Sequence, residues 1–347
     1  MTDSIKLTIK NPESNIIGRV KYPAIESVSM GSGRPIWSVM IPTYNGTQYL
    51  EKTLRSVLDH ASELDQMQIE VIDDCSTRDD PETLVKEIGQ GRISFFRNPQ
   101  NVGLVDNWNT CIQRSRGHWV HILHQDDIVM PGFYEHLKNA IDSAELPGAA
   151  FCRHVFMDED DCWQLLSPVE QKSSGIIPNW IERIATAQRI QFPSIVVKRT
   201  VYEKIGGFYP EVHYAADWEM WQRISAYFPM WYEPRILACY REHTQSETSR
   251  LLRSGSDTID TRKAIEVAKF YLPSENAKKL SQQAKEHYAM CALVKARRLL
   301  EKNDFMAALI QIREAFRCSL SYQVSRSSLP LLKLIAMQWI LQQLHKS

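Results

Sequence analysis

The chain has 347 residues, 44% hydrophobic and 24% charged, with 41 basic and 41 acidic side chains and so no net charge. That length allows a large core and a second, smaller unit, while the charge balance and the lack of a dense basic stripe with interleaved aromatics exclude a chain built to coat nucleic acid. The seven cysteines (75, 111, 152, 162, 239, 291 and 318) are odd in number, scattered and never spaced C-x-x-C. They speak against a disulfide framework or structural zinc, and for a reducing, cytoplasmic setting.

Met1 to Lys10 lacks the basic-then-apolar pattern of a signal peptide. No run of about 18 apolar residues predicts a spanning helix. Residues 1 to 34 read as an N-terminal extension, and Gly31-Ser32-Gly33 precedes a strand rather than following one, the wrong context for a dinucleotide fingerprint.

From Trp37 to Ile41 the apolar content predicts a buried strand, ending in the turn cluster Pro42-Thr43-Tyr44-Asn45-Gly46. Leu50, Leu54, Val57 and Leu58 then recur at helical spacing. A second unit repeats the arrangement, with a strand from Ile69 to Ile72, the turn Asp73-Asp74-Cys75-Ser76-Thr77 and a helix around Pro81 to Ile88. The third has a strand from Ile93 to Phe96, a loop from Arg97 through Asn101 to Gly103, and a helix through Asn107, Cys111 and Ile112. The fourth strand, around Trp119 to Leu123, stops at Asp126-Asp127, with Pro131 delaying the next helix. Strands alternating with helices, each strand followed by polar or acidic residues, predict a three-layer α/β fold with a mostly parallel sheet and one crevice at the strands' carboxyl ends. Paired carboxylates there suit a divalent cation holding a phosphate, the plain alternative being a solvated acidic turn.

Farther on, Ala149 to Met157 reads as a strand, Trp180 to Ala187 as a short helix and Ser194 to Lys198 as a strand. Gly206-Gly207-Phe208 reads as a sharp bend, and a helix opens near Ala216-Asp217-Trp218 with Asp217 placed to cap it. Strands follow near Met230 to Tyr232 and Ile236 to Tyr240, ending in Arg241-Glu242-His243. After about residue 255 the period is helical throughout, predicting three or four amphipathic helices. The last holds Leu331, Leu332, Leu334, Ile335, Met337, Trp339, Ile340 and Leu341. It reads as a docked helix, with an interfacial membrane contact or a partner face as the alternative.

Together, Ser38 to Asn45, Asp73 to Thr77, Asn98 through Gly103 to Asn109, Gly117 to Asp127, and Gly206-Gly207-Phe208 to Asp217-Trp218 resemble the inverting glycosyltransferases of family 2 in order and spacing. The resemblance covers roughly residues 36 to 243. It implies a GT-A catalytic domain over 35–250, between the 1–34 extension and a C-terminal helical region over 251–347. It also implies transfer of a sugar from a nucleoside diphosphate donor, usually a UDP-sugar, to a glycan or lipid-linked acceptor hydroxyl, with Mn2+ or Mg2+.

Carried onto this chain, the resemblance implies donor contacts from Pro42, Thr43, Tyr44, Asn45, Asp74, Asn101, Gly103, Asn107, Gln125 and Asp126. Asp74 matches the carboxylate that accepts from the base, a role suited to an imide N–H such as uracil's. Trp108 stands where a basic residue is common. In the family's Asp-x-Asp-Asp register His124 replaces the first acid, leaving Asp126 as the metal carboxylate and Asp127 in reserve. Asp217 matches the general base, with Ala216 where an acid is usual, and His243 matches a residue that closes on the metal or diphosphate. His118, His121 and His124 do not form a zinc triad, because 121 points to the opposite face of a strand from the other two.

A glycoside hydrolase using Asp126 and Asp217 would leave the nucleotide-type turns without a purpose. A nucleotidyltransferase would need a basic Gly-rich loop that does not follow the first strand. A noncatalytic nucleotide-sugar-binding or partner-recruiting protein is the alternative from a different class. No Gln-x-x-Arg-Trp motif follows Asp217, so single addition in cell-surface glycan assembly is expected rather than polymerisation.

Overall fold

The computed structural model describes residues 16–17, 20–28, 33–60, 66–143, 146–243 and 247–344. The signal-peptide reading of Met1 to Lys10 and the Gly31-Ser32 step fall outside the described residues, as do the side chains of Trp339, Ile340 and Leu341.

A small hairpin of β1 (Ile16–Ile17) and β2 (Val20–Lys21) comes first. The expected βα units follow: β3 (Trp37–Thr43) and α1 (Thr47–Leu58), β4 (Met67–Asp73) and α2 (Pro81–Gly89), β5 (Ser94–Arg97) and α3 (Leu104–Arg114), then β6 (Trp119–Ile122). Strands β3 and β6 are buried along their whole length, and β4 nearly so. This is why they read as continuous apolar runs rather than alternating ones. Helix α1 buries Tyr49, Leu50, Thr53, Leu54 and Val57 on one face, and α2 starts where the Asp80 side chain accepts from the Thr83 N–H, with Pro81 in its first turn.

The chain continues through β7 (Ile128–Val129), α4 (Phe133–Ile141), β8 (Ala149–Met157), β9 (Trp163–Leu166), β10 (Gly175–Ile176), α5 (Trp180–Ile184), β11 (Ile195–Lys198), α6 (Arg199–Ile205), α7 (Ala216–Tyr227) and β12 (Met230–Arg241). The sheet runs β10-β12-β8-β11-β6-β3-β4-β5, with β7 beside β12 and β9 beside β8. Neighbours from β6 to β5 are parallel, as are β12 and β8, while β11 is antiparallel to both β6 and β8. Between this sheet and α1, α2 and α4 lies a core containing Val39, Ile41, Leu50, Leu54, Val71, Val85, Leu123, Phe133 and Leu137.

Two expectations change. The strands foreseen at 230–232 and 236–240 are one strand, β12, with register shifts between Glu233 and Ile236 and again before Ala238. Pro234 falls in that irregular stretch, where the missing N–H costs no ladder bond. Asp217 is not the cap of α7 but stands one residue inside it, because the helix begins at Ala216.

The remaining helices among the described residues are α8 (Glu247–Ser254), α9 (Ser256–Ala268), α10 (Ala277–Glu301), α11 (Phe305–Cys318) and α12 (Tyr322–Leu344), the last four falling where the helical period after about residue 255 suggested three or four. Small residues let α10 and α11 approach closely. Ala289, Ala292, Ala296 and Leu300 of α10 share a core with Ala308, Ile312 and Ala315 of α11 and Val324 of α12. The chain divides into two compact units: Met1–Ile181, Arg189–Pro210 and Met220–Glu242 form the first, and Glu182–Gln188, Glu211–Glu219 and His243–Ser347 the second. No helix among the described residues is long and apolar enough to cross a membrane.

Candidate active site

The loops after β3, β4, β5 and β6 are tied together by side chains that the motif reading assigned to ligands. After β3, Asn45 takes a left-handed conformation (φ 50°), which an amide side chain tolerates better than most. Its carbonyl oxygen accepts from the Thr77 and Arg78 N–H groups, and its own N–H donates to the Ser76 hydroxyl at 2.8 Å. The Gln125 side-chain oxygen Oε1 accepts from the Thr43 hydroxyl at 2.5 Å and the Tyr44 N–H at 2.9 Å. Gly46 makes this possible, since a Cβ there would lie 2.0 Å from Gln125 Cδ. Pro42 is the last residue but one of β3. Tyr44 is exposed, an aromatic face at the strand's carboxyl end.

Asp73 and Asp74 have separate tasks. Asp73 holds its own turn, accepting from the Ser76 N–H and hydroxyl and from Arg97 Nε at 2.6 Å. Asp74 holds the loop after β5. Its Oδ1 accepts from the Val102 N–H at 2.9 Å and from Asn98 Nδ2 at 3.0 Å, and its Oδ2 accepts from the Gly103 N–H at 2.9 Å. Asn101 Nδ2 donates back to the Asp74 carbonyl, and Gly103 turns into α3 with φ 88°. Oδ2 keeps acceptor capacity, so the clamp does not consume the base-reading role assigned to Asp74. Asn107 is buried, its side-chain carbonyl oxygen accepting from Asn98 Nδ2 and its amide donating to the Ile72 carbonyl, so these bonds tie α3 to β4.

Asp74→Ala is expected to leave three donors without their acceptor, the Asn98 amide buried and the Val102 and Gly103 N–H groups nearer the surface. Stability should fall by about 3 kcal/mol, measured by urea unfolding, and an unchanged midpoint would show that the loop stands without the clamp.

At the end of β6 the acidic turn is rigidly placed. The buried Thr53 hydroxyl lies 2.8 Å from both the Gln125 and Asp127 carbonyl oxygens. Asp127 is buried, and its Oδ1 accepts from the Arg241 N–H at 2.9 Å while Oδ2 is enclosed without a partner. Burial, with the Asp126 charge adding to it, holds its carboxyl well above the usual range. Arg241 also donates to the Asp126 carbonyl, pairs with Asp161 at 2.6 Å and lies over the Tyr49 ring.

His124 stacks on Trp108, with ring centroids 5.3 Å apart and planes 15° apart, and touches Phe192 at 4.3 Å. Burial lowers its pKa to about 4, against the pull of Asp126. The neutral imidazole has a buried Nε2 without a partner. Ligand atoms of His124, Asp126 and Asp127 all lie within 4.8 Å of one another. One imidazole nitrogen and two carboxylates, two of these residues with an unsatisfied enclosed atom, form a donor set that can hold a divalent ion. Trp108, in place of a basic side chain, packs the imidazole. His121, facing the other way, bonds the Tyr134 hydroxyl and the Pro193 carbonyl.

A family model for glycosyl transferase family 2 matches residues 38–220. The chain belongs to that family. This glycosyltransferase is 24% identical over 236 residues to an uncharacterised glycosyltransferase of Haemophilus influenzae, covering 66% of this chain and 74% of the relative. It is 25% identical over 249 residues to the uncharacterised protein MT1568 of Mycobacterium tuberculosis, covering 69% and 77%. Among solved structures, the 1–349 fragment of Staphylococcus aureus TarS in complex with UDP-GlcNAc matches with a TM-score of 0.58 at 14% identity, over 80% of this chain and 81% of that one. The mannosyltransferase PcManGT of Pyrobaculum calidifontis, in complex with GDP-Man and Mn2+, matches with a TM-score of 0.54 at 16% identity, over 89% and 80%. These likenesses identify the GT-A fold.

In the glycosyltransferase's second unit, Asp217 is held from two sides. Its Oδ1 accepts from the Trp218 N–H and its Oδ2 from Gln188 Nε2, both at 2.6 Å. The Gln188 N–H donates to the Tyr288 hydroxyl, and the Trp218 indole donates to the Ile184 carbonyl. Loss of water raises the Asp217 pKa to about 7, against the lowering effect of its two hydrogen bonds. His243 is half-buried two residues beyond β12. Sequence reading missed Thr53, Arg241 and Gln188 as positioning residues. Arg241 adjoined the expected His243, whereas Thr53 and Gln188 carried no motif signal.

Proposed function

We propose that this glycosyltransferase moves a sugar from a nucleoside diphosphate donor, a UDP-sugar first among them, to a glycan or lipid-linked acceptor hydroxyl with inversion. The observation that carries the reading is the His124, Asp126 and Asp127 donor set at the end of β6, with its enclosed unpartnered atoms. Asp126 and Asp127 would hold the ion, Mn2+ or Mg2+, with His124 Nε2 beside them and His243 closing on the diphosphate. When bound, such an ion supplies positive charge for the leaving diphosphate. Tyr44 stacks the base, Asp74 Oδ2 accepts its imide proton, and Thr43, Asn45, Asn101, Gly103 and Gln125 shape the nucleoside pocket.

Asp217 takes the acceptor's proton as the acceptor oxygen bonds to the anomeric carbon. The bond from that carbon to the diphosphate oxygen breaks, and its electron pair leaves with the nucleotide. A carboxylate with a pKa near 7 is matched to this task at neutral pH. We place the reaction in the cytoplasm, with peripheral contact between the final C-terminal helix and a membrane that carries the acceptor.

Calorimetric and thermal-shift titration with UDP, GDP and dTDP, each with and without Mn2+, tests the donor reading. Metal-dependent binding of one nucleotide is the expected result. Folded protein that binds none of them would favour a noncatalytic, partner-recruiting role.

A further inference from the structure

We propose that α11 and α12 carry an interfacial surface for an anionic lipid bilayer. The inference rests on the membrane contact proposed above, naming its face and its lipid, and it needs no assumption about the sugar-transfer chemistry. On α11 the exposed side chains are Met306, Leu309, Arg313 and Arg317, spaced i, i+3, i+7 and i+11, which is one stripe, and exposed Leu320 lies just past the helix end. On α12 a matching stripe carries Tyr322, Arg326, Leu329, Lys333 and Met337. At the joint between the helices Leu320 and Tyr322 are each 79% exposed.

The charge on this surface has one sign. Between residues 305 and 344 the basic side chains are Arg313, Arg317, Arg326 and Lys333, and the single acid is Glu314. Glu314 is fully buried and shared among Arg262, Arg313 and Arg317, so three cations surround one carboxylate and the cluster keeps a net positive charge. Bare leucine and methionine alternating with cations gain from a medium that is anionic at its surface and apolar just beneath. A purely polyanionic partner would leave the apolar half of each stripe without a use.

The test is cosedimentation of the full chain with phosphatidylcholine vesicles, with and without phosphatidylglycerol, alongside nucleotide titration of the same samples. Binding to the anionic vesicles and not the neutral ones is expected, weakening with salt. Arg326→Glu with Lys333→Glu should lower it by more than about tenfold, each lost cation counting on the order of fivefold. Leu320→Ser with Tyr322→Ser should lower it while leaving nucleotide binding as in the parent. No sedimentation of folded wild-type protein, equal binding to neutral vesicles, or binding that ignores both double variants would each overturn the proposal. So would self-association in gel filtration that the same variants abolish, which would assign the face to a second copy of the chain. Nucleotide binding that persists through any of these results leaves the transferase reading intact.

Discussion

Asp217→Asn is expected to lower sugar transfer by about 10²–10⁴-fold with nucleotide affinity unchanged, because the amide keeps the carboxylate's shape but cannot accept the acceptor's proton. The pH dependence carries the same signature. Transfer at limiting substrate should rise with pH through about 7 as Asp217 ionises, then level off. In Gln188→Leu that limb should move to higher pH, since the lost amide hydrogen bond stabilised the anion. Stability follows the opposite sign. A carboxyl raised to about 7 in the folded chain holds its proton between the ordinary carboxylate range and pH 7, while the unfolded chain releases it. Folding therefore loses stability as pH rises through that window. Asp217→Asn removes the burden, so at pH 8 the variant should melt no lower than the parent, and inactivity cannot be ascribed to unfolding. Unchanged turnover would remove Asp217 from the mechanism.

The second large effect is expected at the acidic turn. Asp126→Ala should weaken Mn2+-dependent nucleotide binding by at least the roughly 10–100-fold typical of disturbing a metal's supporting groups. Affinity without metal should change little, and an unaltered response to Mn2+ would end the assignment. His124→Phe makes a finer separation, because it preserves an aromatic ring against Trp108 and Phe192 while deleting the nitrogen. Weaker metal dependence in this variant would make the imidazole a ligand. Full retention would make it packing.

Much of this site was legible along the chain because its parts are short and local. A buried parallel strand must be apolar throughout, so β3, β4 and β6 announce themselves as runs that end where polar side chains begin. The turns after them therefore fell where the motifs placed them. What the linear reading could not supply was the division of labour among polar residues. Asn45, Asp74 and Asn107 have the chemistry of ligand-binding side chains, and in the fold all three spend hydrogen bonds on other loops. Thr53 and Gln188 looked like ordinary helix and loop residues until folding brought the acidic turn and Asp217 beside them.

The sequence by itself determined the first four strands of the βα units and the helices between them, the acidic turn at the end of the fourth of these strands, and the family, because each depends on residues close in the chain. Tertiary structure decided the antiparallel insertion of β11, the burial that sets the states of His124, Asp127 and Asp217, and the interior use of Asn107. These depend on which distant segments exclude water from a group and which donors they bring to it, and no local pattern encodes either.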